Sequence, residues 1–473
     1  MKPIELLEFE SLFAIPDGEQ EGRMPDACVG ISQRRFDQLD KYLRSVAGKD
    51  LDADQLMRFQ RRGGRDLITA RNYVGVIRFA DGAQIEILPK IELSGADEDV
   101  TRNATRKIFL KMLRALLNFE DKAKSCGRAH VDDSRMRVFD VFVRRFLDDL
   151  AALVKRGLKG GYSTVSGNEH FFKGKLKVAE NIRHNIVHRE RFFVEYDVFS
   201  TDAPENRLIR AALERLRIEV GDAGCRNDIN RLLTAFDGVP GSKNVDADLA
   251  AAKAVRNGEF YKSVIDWCGV FLMRSGFAAF SGSHDVQALL FPMERIFEAY
   301  VAHVVRKYVS MDGWSVSVQE HGKYLFANEN DKGQRFDLRP DIVLRMEGEV
   351  IIADTKWKRL NRDNPHYGVS QGDMYQMYAY GKRYSEDSEG SSKRKVRAVH
   401  LIYPKSWEGE NEIVYSDGNK AEGNNDLCVK IDLFDFDMLG DASGNAEKSF
   451  AKKLIDVGEL NDGQGQEIRD SLC

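Results

Sequence analysis

The chain has 473 residues, more than one hydrophobic core usually holds, so we expect two or three domains. A hydrophobic content of 42% with 31% charged residues is typical of chains that bury ordinary cores, and no stretch approaches the roughly 20 apolar residues that cross a bilayer. The net charge of −4 indicates no general attraction to nucleic acids. The acidic N-terminus lacks the order of a secretory signal, so a cytoplasmic protein is predicted.

The six cysteines are far apart and form no C-x-x-C pair or Cys/His cluster. Disulfide frameworks and zinc sites require closer spacing. We therefore expect reduced thiols that serve as small core residues. These cysteines are Cys28, Cys126, Cys225, Cys268, Cys428 and Cys473.

A first, β-rich region is expected over residues 1–125. Its clearest part is Tyr73–Ile91, where two apolar runs rich in β-branched residues flank the turn dipeptide Asp81-Gly82. This pattern predicts a β-hairpin, and Pro89 ends its second strand.

A second, mostly helical region is expected over residues 126–280. Apolar residues recur at helical spacing from Val138 to Leu158, and Leu208–Val220 and Leu249–Phe277 are similar. Between the first two of these helices, apolar and polar residues alternate more regularly, and many of the residues are basic.

This basic segment, Lys173–Arg191, has six Lys or Arg residues and two acidic residues. Such a patch could contact DNA phosphates or a protein partner, but a solvated basic face explains it about as well. The candidate contacts are Lys173, Lys175, Lys177 and Arg183.

The third region, residues 281–440, is predicted as a helix, a strand hairpin and another helix, followed by a polar C-terminal segment over 441–473. Its hairpin combines the strands Ile342–Leu344 and Val350–Ala353 with a turn at Glu347-Gly348. A two-residue loop there pairs Met346 with Glu349 and, counting outward, sets Asp341 opposite Asp354. Lys356 points to the same face because side chains alternate along a strand.

Two carboxylates and an ammonium at one end of a hairpin are suited to cleaving phosphodiesters. Mg²⁺ prefers oxygen ligands, commonly one or two carboxylates with water and phosphate oxygens, and it activates water as a nucleophile. A lysine beside it can orient that water and stabilise the developing charge. We therefore predict Asp341, Asp354 and Lys356 as catalytic residues with Mg²⁺, or alternatively Mn²⁺, as cofactor. Asp-x-Lys alone is a common strand pattern, so this prediction depends on the register.

Two flanking helices offer further candidates. Glu294 and Glu298 lie one turn apart on the upstream helix, and Glu298, among apolar neighbours, is the better candidate for a third metal-binding carboxylate. First-turn acids are also favoured by the helix dipole, which explains Glu294 without a site. Downstream, Ser370 is a predicted N-cap, and Gln376 could reach phosphate or water at the site.

Eight segments, spread in order over much of the chain, share a family pattern: Asn72–Ile77, Ile85–Ile91, Phe172–Leu176, Asn206–Ile209, Met293–Tyr300, Pro340-Asp341, Asp354–Lys356 and Tyr375–Tyr380. In these segments the chain resembles the McrC family, the nuclease subunits of McrBC-type modification-dependent restriction systems. The chain departs from compact members in its greater length over 1–66 and beyond residue 439.

The resemblance implies a multidomain α+β chain whose C-terminal domain is a PD-(D/E)xK restriction-endonuclease-like α/β fold. It also implies cleavage of double-stranded, modified DNA together with a McrB-like AAA+ GTPase ring, which the N-terminal region contacts and stimulates. Asp341, Asp354 and Lys356 match the family's catalytic positions.

The sequence contains no phosphate-binding G-x-x-x-x-G-K-[ST] loop, so we expect another subunit to hydrolyse nucleotide. Two alternatives stay open. One is a non-catalytic scaffold that activates a partner NTPase, and the other is a nuclease that acts alone. The net charge of −4 argues against tight unaided DNA binding.

Overall fold

The computed structural model describes residues 3–16, 19–24, 28–46, 56–91, 98–116, 137–254, 259–272, 286–328, 333–385, 395–407, 412–416, 427–436 and 444–456. Within these ranges the protein is a mixed α+β fold with five β-sheets and eleven α-helices. The predicted mixed α+β class is therefore confirmed. None of the helices in these ranges is long and apolar enough to span a membrane.

The N-terminal part contains a five-stranded sheet in the order β3-β4-β2-β6-β5. Helix α1 packs against β2 and β4, and its buried Leu39 and Tyr42 fix it there. The elements are β2 (Ser11–Ile15), β3 (Gly22–Met24), β4 (Cys28–Ser32), α1 (Gln33–Val46), β5 (Met57–Arg62) and β6 (Arg65–Ala70).

A four-stranded sheet combines strands from distant parts of the chain, in the order β1-β8-β7-β12. The predicted hairpin is confirmed, since β7 and β8 pair antiparallel around Asp81-Gly82. The strands are β1 (Ile4–Leu7), β7 (Tyr73–Phe79), β8 (Gln84–Leu88) and β12 (Val286–Pro292), and helix α2 (Glu98–Leu116) follows β8.

Gly75 allows β12 to approach β7 closely. Its φ is +141°, and a Cβ atom there would lie 2.0 Å from the carbonyl oxygen of Leu289. Any side chain would therefore separate the two strands. This contact joins the predicted first and third regions through one sheet.

The middle part is a helical bundle. Helix α5 packs against α6, α7 and α8, and α3 packs against α6 and α8. Aromatic residues fill its centre, where Trp267 stacks on Phe271 with ring centroids 5.6 Å apart. The helices are α3 (Val138–Arg156), α5 (Pro204–Glu219), α6 (Ala223–Leu233), α7 (Val245–Ala254) and α8 (Glu259–Leu272), with α4 (Val178–Asn185) outside the bundle.

The predicted helix at Val138–Leu158 is confirmed as α3. Pro204 at the start of α5 places that helix start four residues before the predicted Leu208, because proline is favoured in a first turn. The helical prediction for Leu249–Phe277 corresponds to α7 and α8, while residues 255–258 and 273–277 lie outside the described ranges.

A small three-stranded sheet interrupts the bundle between α3 and α5. We call this sheet, with α4, the arm. Its strands β9 (Gly161–Glu169), β10 (Lys175–Leu176) and β11 (Phe192–Ser200) pair antiparallel in the order β10-β11-β9.

A six-stranded mixed sheet in the order β13-β16-β17-β18-β20-β19 forms the C-terminal part. Its strands are β13 (Ser315–Val318), β16 (Ile342–Met346), β17 (Glu349–Thr355), β18 (Lys395–Pro404), β19 (Glu412–Ser416) and β20 (Cys428–Phe434). A separate hairpin combines β14 (Lys323–Ala327) and β15 (Gln334–Leu338).

Helices cover both faces of this sheet. The apolar side chains of β17 alternate, so that Ile351 belongs to the core under α9 and Ile352 to the core under α10. The helices are α9 (Met293–Val309), α10 (Gln371–Ser385) and α11 (Asn445–Ile455). α11 packs against α9, outside the sheet.

Candidate active site

The hairpin register predicted from the sequence is confirmed. Met346 pairs with Glu349, and the ladder continues to Ile342 opposite Ala353. The turn residues Glu347 and Gly348 have φ values of +46° and +85°. Positive φ at both central residues is the property of a type I′ turn, which suits the twist of a two-residue hairpin. The next position outward from the last pair holds Asp341 and Asp354.

Asp341 lies just before β16, and its side chain is fixed across the hairpin. Its Oδ2 accepts hydrogen bonds from the backbone N–H and the hydroxyl group of Thr355, both at 2.7 Å. Two donors on one oxygen leave the other oxygen available for further contacts. Thr355, the neighbour of Asp354 in the chain, is thus a link to Asp341 that the sequence did not indicate.

Asp354 is 2% exposed and lies near the end of β17. The Lys356 Nζ is 2.6 Å from the Asp354 Oδ2. Because Ile352 faces the α10 core, alternation turns Asp354 toward that face as well. A buried carboxylate is thus directly paired with the ammonium predicted to act beside it.

Glu298 reaches the same end of the sheet from α9. The side-chain amide of Gln319 donates hydrogen bonds to both Glu298 Oε1 and Asp341 Oδ1, the latter at 3.4 Å. Gln319 therefore bridges two candidate carboxylates. Glu294, one turn earlier on the helix, is exposed.

The acidic groups share one electrostatic environment. Burial, followed by repulsion from Asp341, raises the pKa of Glu298 to about 7. Burial and the neighbouring Asp341 raise the pKa of Asp354 to about 6, although Lys356 opposes this shift. Burial also raises the pKa of Asp341, against the hydrogen bonds from Thr355. Clustered buried carboxylates of this kind are stabilised when a cation binds among them.

The pKa of Lys356 is also shifted. Burial lowers its pKa, but Asp354 and Asp341 outweigh burial, so the net shift is upward. Lys356 is therefore a positively charged group at neutral pH, suited to stabilising negative charge rather than to accepting a proton.

Gln376 lies on α10, where its amide donates to the hydroxyl group of Tyr380 at 2.7 Å. That hydroxyl donates in turn to the carbonyl oxygen of Arg339 at 3.0 Å. Burial and Asp354 raise the pKa of Tyr380. Gln376 thus contacts the site through Tyr380, and the predicted N-cap is confirmed by the 3.1 Å bond from the Asp373 N–H to Ser370 Oγ.

Asp337, which by strand parity could share the face of the site, lies outside it. Its carboxylate pairs with Arg339 at 2.9 Å and contacts His321 at 3.3 Å.

A contact absent from the sequence prediction joins the site to the N-terminus. The indole N–H of Trp357, the residue after Lys356, donates to the two carboxyl oxygens of Glu8 at 3.3 and 3.2 Å. Glu8 also accepts from the backbone N–H of Lys90 at 3.0 Å, and burial raises its pKa to about 7. A cavity of about 220 Å³ adjoins them, with Lys90, Lys358, Arg359 and Lys405 among its lining residues.

The basic segment lies in the arm, apart from these carboxylates. Lys177 pairs with Glu195 at 2.7 Å, and Lys173 pairs with Glu169 at 3.5 Å and lies over the Tyr196 ring. Lys175 and Arg183 are exposed. Of the four residues predicted to contact DNA or a partner, Lys173 and Lys177 are therefore already paired with acidic side chains.

The candidate site offers a metal ion two carboxylates, with a third nearby. Among the residues that the structure describes, no three His, Cys, Asp or Glu side chains are grouped tightly enough for a complete protein-only metal site. Mg²⁺ rarely requires one, because it retains water and binds substrate phosphate. Asp341 and Asp354, with Glu298 nearby, fit that mode of binding.

The family model for McrBC 5-methylcytosine restriction system components matches residues 68–404, more than half of the chain. The chain belongs to this family. This match confirms the McrC-family resemblance, and the matched range contains both the arm and every candidate site residue.

A solved structure shows a similar fold. A chain in the refined half-complex from the tetradecameric assembly of Thermococcus gammatolerans McrB AAA+ hexamers with bound McrC matches with a TM-score of 0.62 and 17% identity, covering 97% of this chain and 100% of that chain. The cryo-EM structure of the Thermococcus gammatolerans McrBC complex matches with a TM-score of 0.44 and 19% identity, covering 65% and 88%. No curated protein matches.

Proposed function

We propose that this restriction-system component is the DNA-cleaving subunit, a Mg²⁺-dependent endonuclease of the PD-(D/E)xK type. The observation that carries this proposal is the convergence of Asp341, Asp354 and Lys356 at one end of a hairpin, with Lys356 Nζ 2.6 Å from Asp354. The sheet with helices on both faces provides the support that an α/β nuclease domain over residues 281–440 requires.

Asp341 and Asp354 would hold the metal, and Glu298 would contribute a third carboxylate directly or through water. When bound, Mg²⁺ polarises a phosphodiester and activates water for attack. The raised pKa values of Glu298 and Asp354 support this assignment, because a divalent cation offsets the repulsion that causes part of each shift. Mn²⁺ has the same preference for carboxylate oxygens and is the alternative ion.

The remaining side chains position the site and stabilise charge. Lys356 stabilises the negative charge that develops on the phosphate and orients the attacking water. Thr355 holds Asp341 by two hydrogen bonds, so that this carboxylate is fixed before substrate binds. Gln376 keeps Tyr380 in place beside Asp354.

We further propose that cleavage requires a McrB-like AAA+ GTPase ring, by analogy with the bound McrC in the half-complex that this chain resembles in fold. The exposed surface of the arm is consistent with binding to a protein partner. Of the eighteen exposed large hydrophobic residues in the described part of the chain, ten lie within residues 161–200, which hold the arm and the loops that join its elements. A concentration of exposed apolar side chains in one part of a chain is typical of protein interfaces. The N-terminal region, residues 1–125, stays a predicted second contact.

Reconstitution tests this function. The chain would be combined with the AAA+ GTPase that co-purifies from its host, with Mg²⁺, GTP and long DNA that contains or lacks 5-methylcytosine. We expect double-strand cleavage of modified DNA that stops when either protein, Mg²⁺ or GTP is omitted. Cleavage by the chain alone would establish the self-sufficient nuclease. Stimulated GTP hydrolysis without any cleavage would establish the non-catalytic activator.

A further inference from the structure

The hairpin β14–β15 leads directly to the candidate site, since only Arg339 and Pro340 separate its end from Asp341. We propose that this hairpin is a DNA wedge, which inserts Phe326 and Phe336 between base pairs of the duplex held at the cutting site and unstacks them. The inference rests on the proposed function, because it assigns the same site a duplex DNA substrate.

The two phenylalanines are placed in solvent. Phe326 is 61% exposed and Phe336 is 71% exposed, and their rings meet edge to face with centroids 6.3 Å apart. An exposed aromatic pair on a two-stranded hairpin is costly in water and indicates a binding surface. Its size and shape suit insertion into a base step.

The backbone conformation of Phe336 supports a functional role for this residue. Its φ is +61°, in the left-handed region that a bulky L-residue rarely adopts. Phe336 lies between the pairs Tyr324–Asp337 and Phe326–Arg335. Strained residues of this kind persist mainly where the surrounding structure holds them for function.

The base of the hairpin is fixed to α10. Arg383 Nε donates to the carbonyl oxygen of Tyr324 at 2.8 Å, and Lys323 Nζ lies 4.2 Å from the ring centre of Tyr384. Tyr380, which adjoins Asp354, holds the carbonyl oxygen of Arg339. A wedge anchored in this way keeps a constant position relative to the scissile bond.

The charges around the aromatic pair favour DNA over a protein partner. Arg335 lies directly opposite Phe326 in the register, and Arg339, which also pairs with Asp337 at 2.9 Å, follows the second strand. Both side chains are exposed on the surface. Proteins that kink DNA combine apolar wedges with basic side chains that contact the flanking phosphates.

The test uses the full chain in EDTA at low salt, so that cleavage does not occur, with duplex DNA carrying 2-aminopurine, whose fluorescence rises on unstacking. We expect the wild-type chain to raise the fluorescence. The double variant Phe326→Ala/Phe336→Ala should abolish that rise and bind DNA about tenfold more weakly, as expected from lost base stacking.

Phe336→Gly supplies an independent variant. Glycine accepts positive φ without strain, so this protein should be at least as stable as wild type and yet lose most of the fluorescence rise. The matched control, Ile218→Ala/Met311→Ala, removes two apolar residues that are 81% and 79% exposed elsewhere, and should change neither signal.

Three results would overturn the wedge. In the first, the wild-type chain does not bind the DNA or does not raise the fluorescence. In the second, the double variant raises the fluorescence as much as wild type. In the third, the double variant is defective only in co-elution with the AAA+ partner. Failure of the cleavage site itself would leave this result intact, because the assay contains no metal ion.

Discussion

The carboxyl group of Glu8 lies 3.2 Å from the indole nitrogen of Trp357, although 349 positions separate the two residues. Glu8 follows β1, at the corner between the four-stranded and five-stranded sheets, and Trp357 follows the catalytic candidate Lys356. The Trp357 ring also packs on Phe297 and Phe436. The N-terminal part therefore contacts the strand end that carries the candidate site.

The raised pKa of Glu8 predicts that the stability of the protein depends on pH. Its pKa is raised by burial from 4.5 to about 7, so the folded state retains a proton that the unfolded state has released. This contribution is complete below pH 4.5 and is lost as the pH rises through 7, on the order of 3 kcal/mol. The hydrogen bonds from the Lys90 backbone N–H and the Trp357 indole lower the pKa of Glu8 and so offset part of the effect of burial.

The measurement is the free energy of unfolding of wild type and Glu8→Gln from pH 5 to pH 8. The wild type should lose more stability over this interval than the variant, which cannot ionise at residue 8. Parallel curves for the two proteins would show that Glu8 does not titrate in this range.

Thr355 should position Asp341 through its hydroxyl group. Thr355→Val keeps the shape and the backbone N–H bond but removes the 2.7 Å bond from Oγ1 to Asp341 Oδ2. We expect kcat to fall about tenfold, as for one lost hydrogen bond to a charged group, with little change in KM. Thr355→Ser retains the hydroxyl group and should restore most of the rate. Equal rates for the Val and Ser variants would contradict this role.

Metal binding should raise the thermal stability of the chain. If Asp341 and Asp354 bind Mg²⁺ in the folded state, the ion at about 100 times its Kd adds roughly 2.7 kcal/mol. Asp341→Asn should lose this Mg²⁺-dependent rise in Tm, measured by calorimetry, whereas Asp337→Asn, beside the site, should retain it. A similar rise in all three proteins would place the metal elsewhere.

The arm should bind the partner or DNA through its exposed basic residues. Charge reversal at Lys175 and Arg183 is expected to weaken assembly or DNA retention more than reversal at Lys173 and Lys177. The latter two already pair with Glu169 and Glu195. Co-elution with the AAA+ partner and the salt dependence of DNA binding distinguish the two roles, since each lost phosphate contact reduces the salt slope by about 0.9. Unchanged values in both assays would leave the arm as a solvated basic face.

The hairpin of the candidate site was predictable because its register follows from local rules. A two-residue turn at Glu347-Gly348 and strand alternation determine which side chains share a face, so Asp341, Asp354 and Lys356 could be brought together from sequence alone. Glu298 was predicted as a candidate metal-binding carboxylate from helix periodicity and its apolar neighbours. These inferences span few residues and require no knowledge of long-range packing.

Contacts between distant segments were not predictable in the same way. The pairing of β12 with β7 depends on the close approach at Gly75, and the Glu8–Trp357 contact depends on how the sheets pack. The sequence did not mark Gln319 or Thr355 as site residues, and only their hydrogen bonds to Asp341 make them candidates for positioning it. The β14–β15 hairpin lacks a strong alternation of apolar residues because its aromatic side chains face solvent.

The most direct test of the central claim compares Asp354→Asn with Asp337→Asn in the reconstituted cleavage reaction. The first substitution removes a buried carboxylate paired with Lys356, and the second removes a similar charge that pairs with Arg339 outside the site. Asp354→Asn should abolish Mg²⁺-dependent cleavage while GTP hydrolysis by the complex continues, and Asp337→Asn should cleave at close to the wild-type rate. Undiminished cleavage by Asp354→Asn would contradict the assigned site.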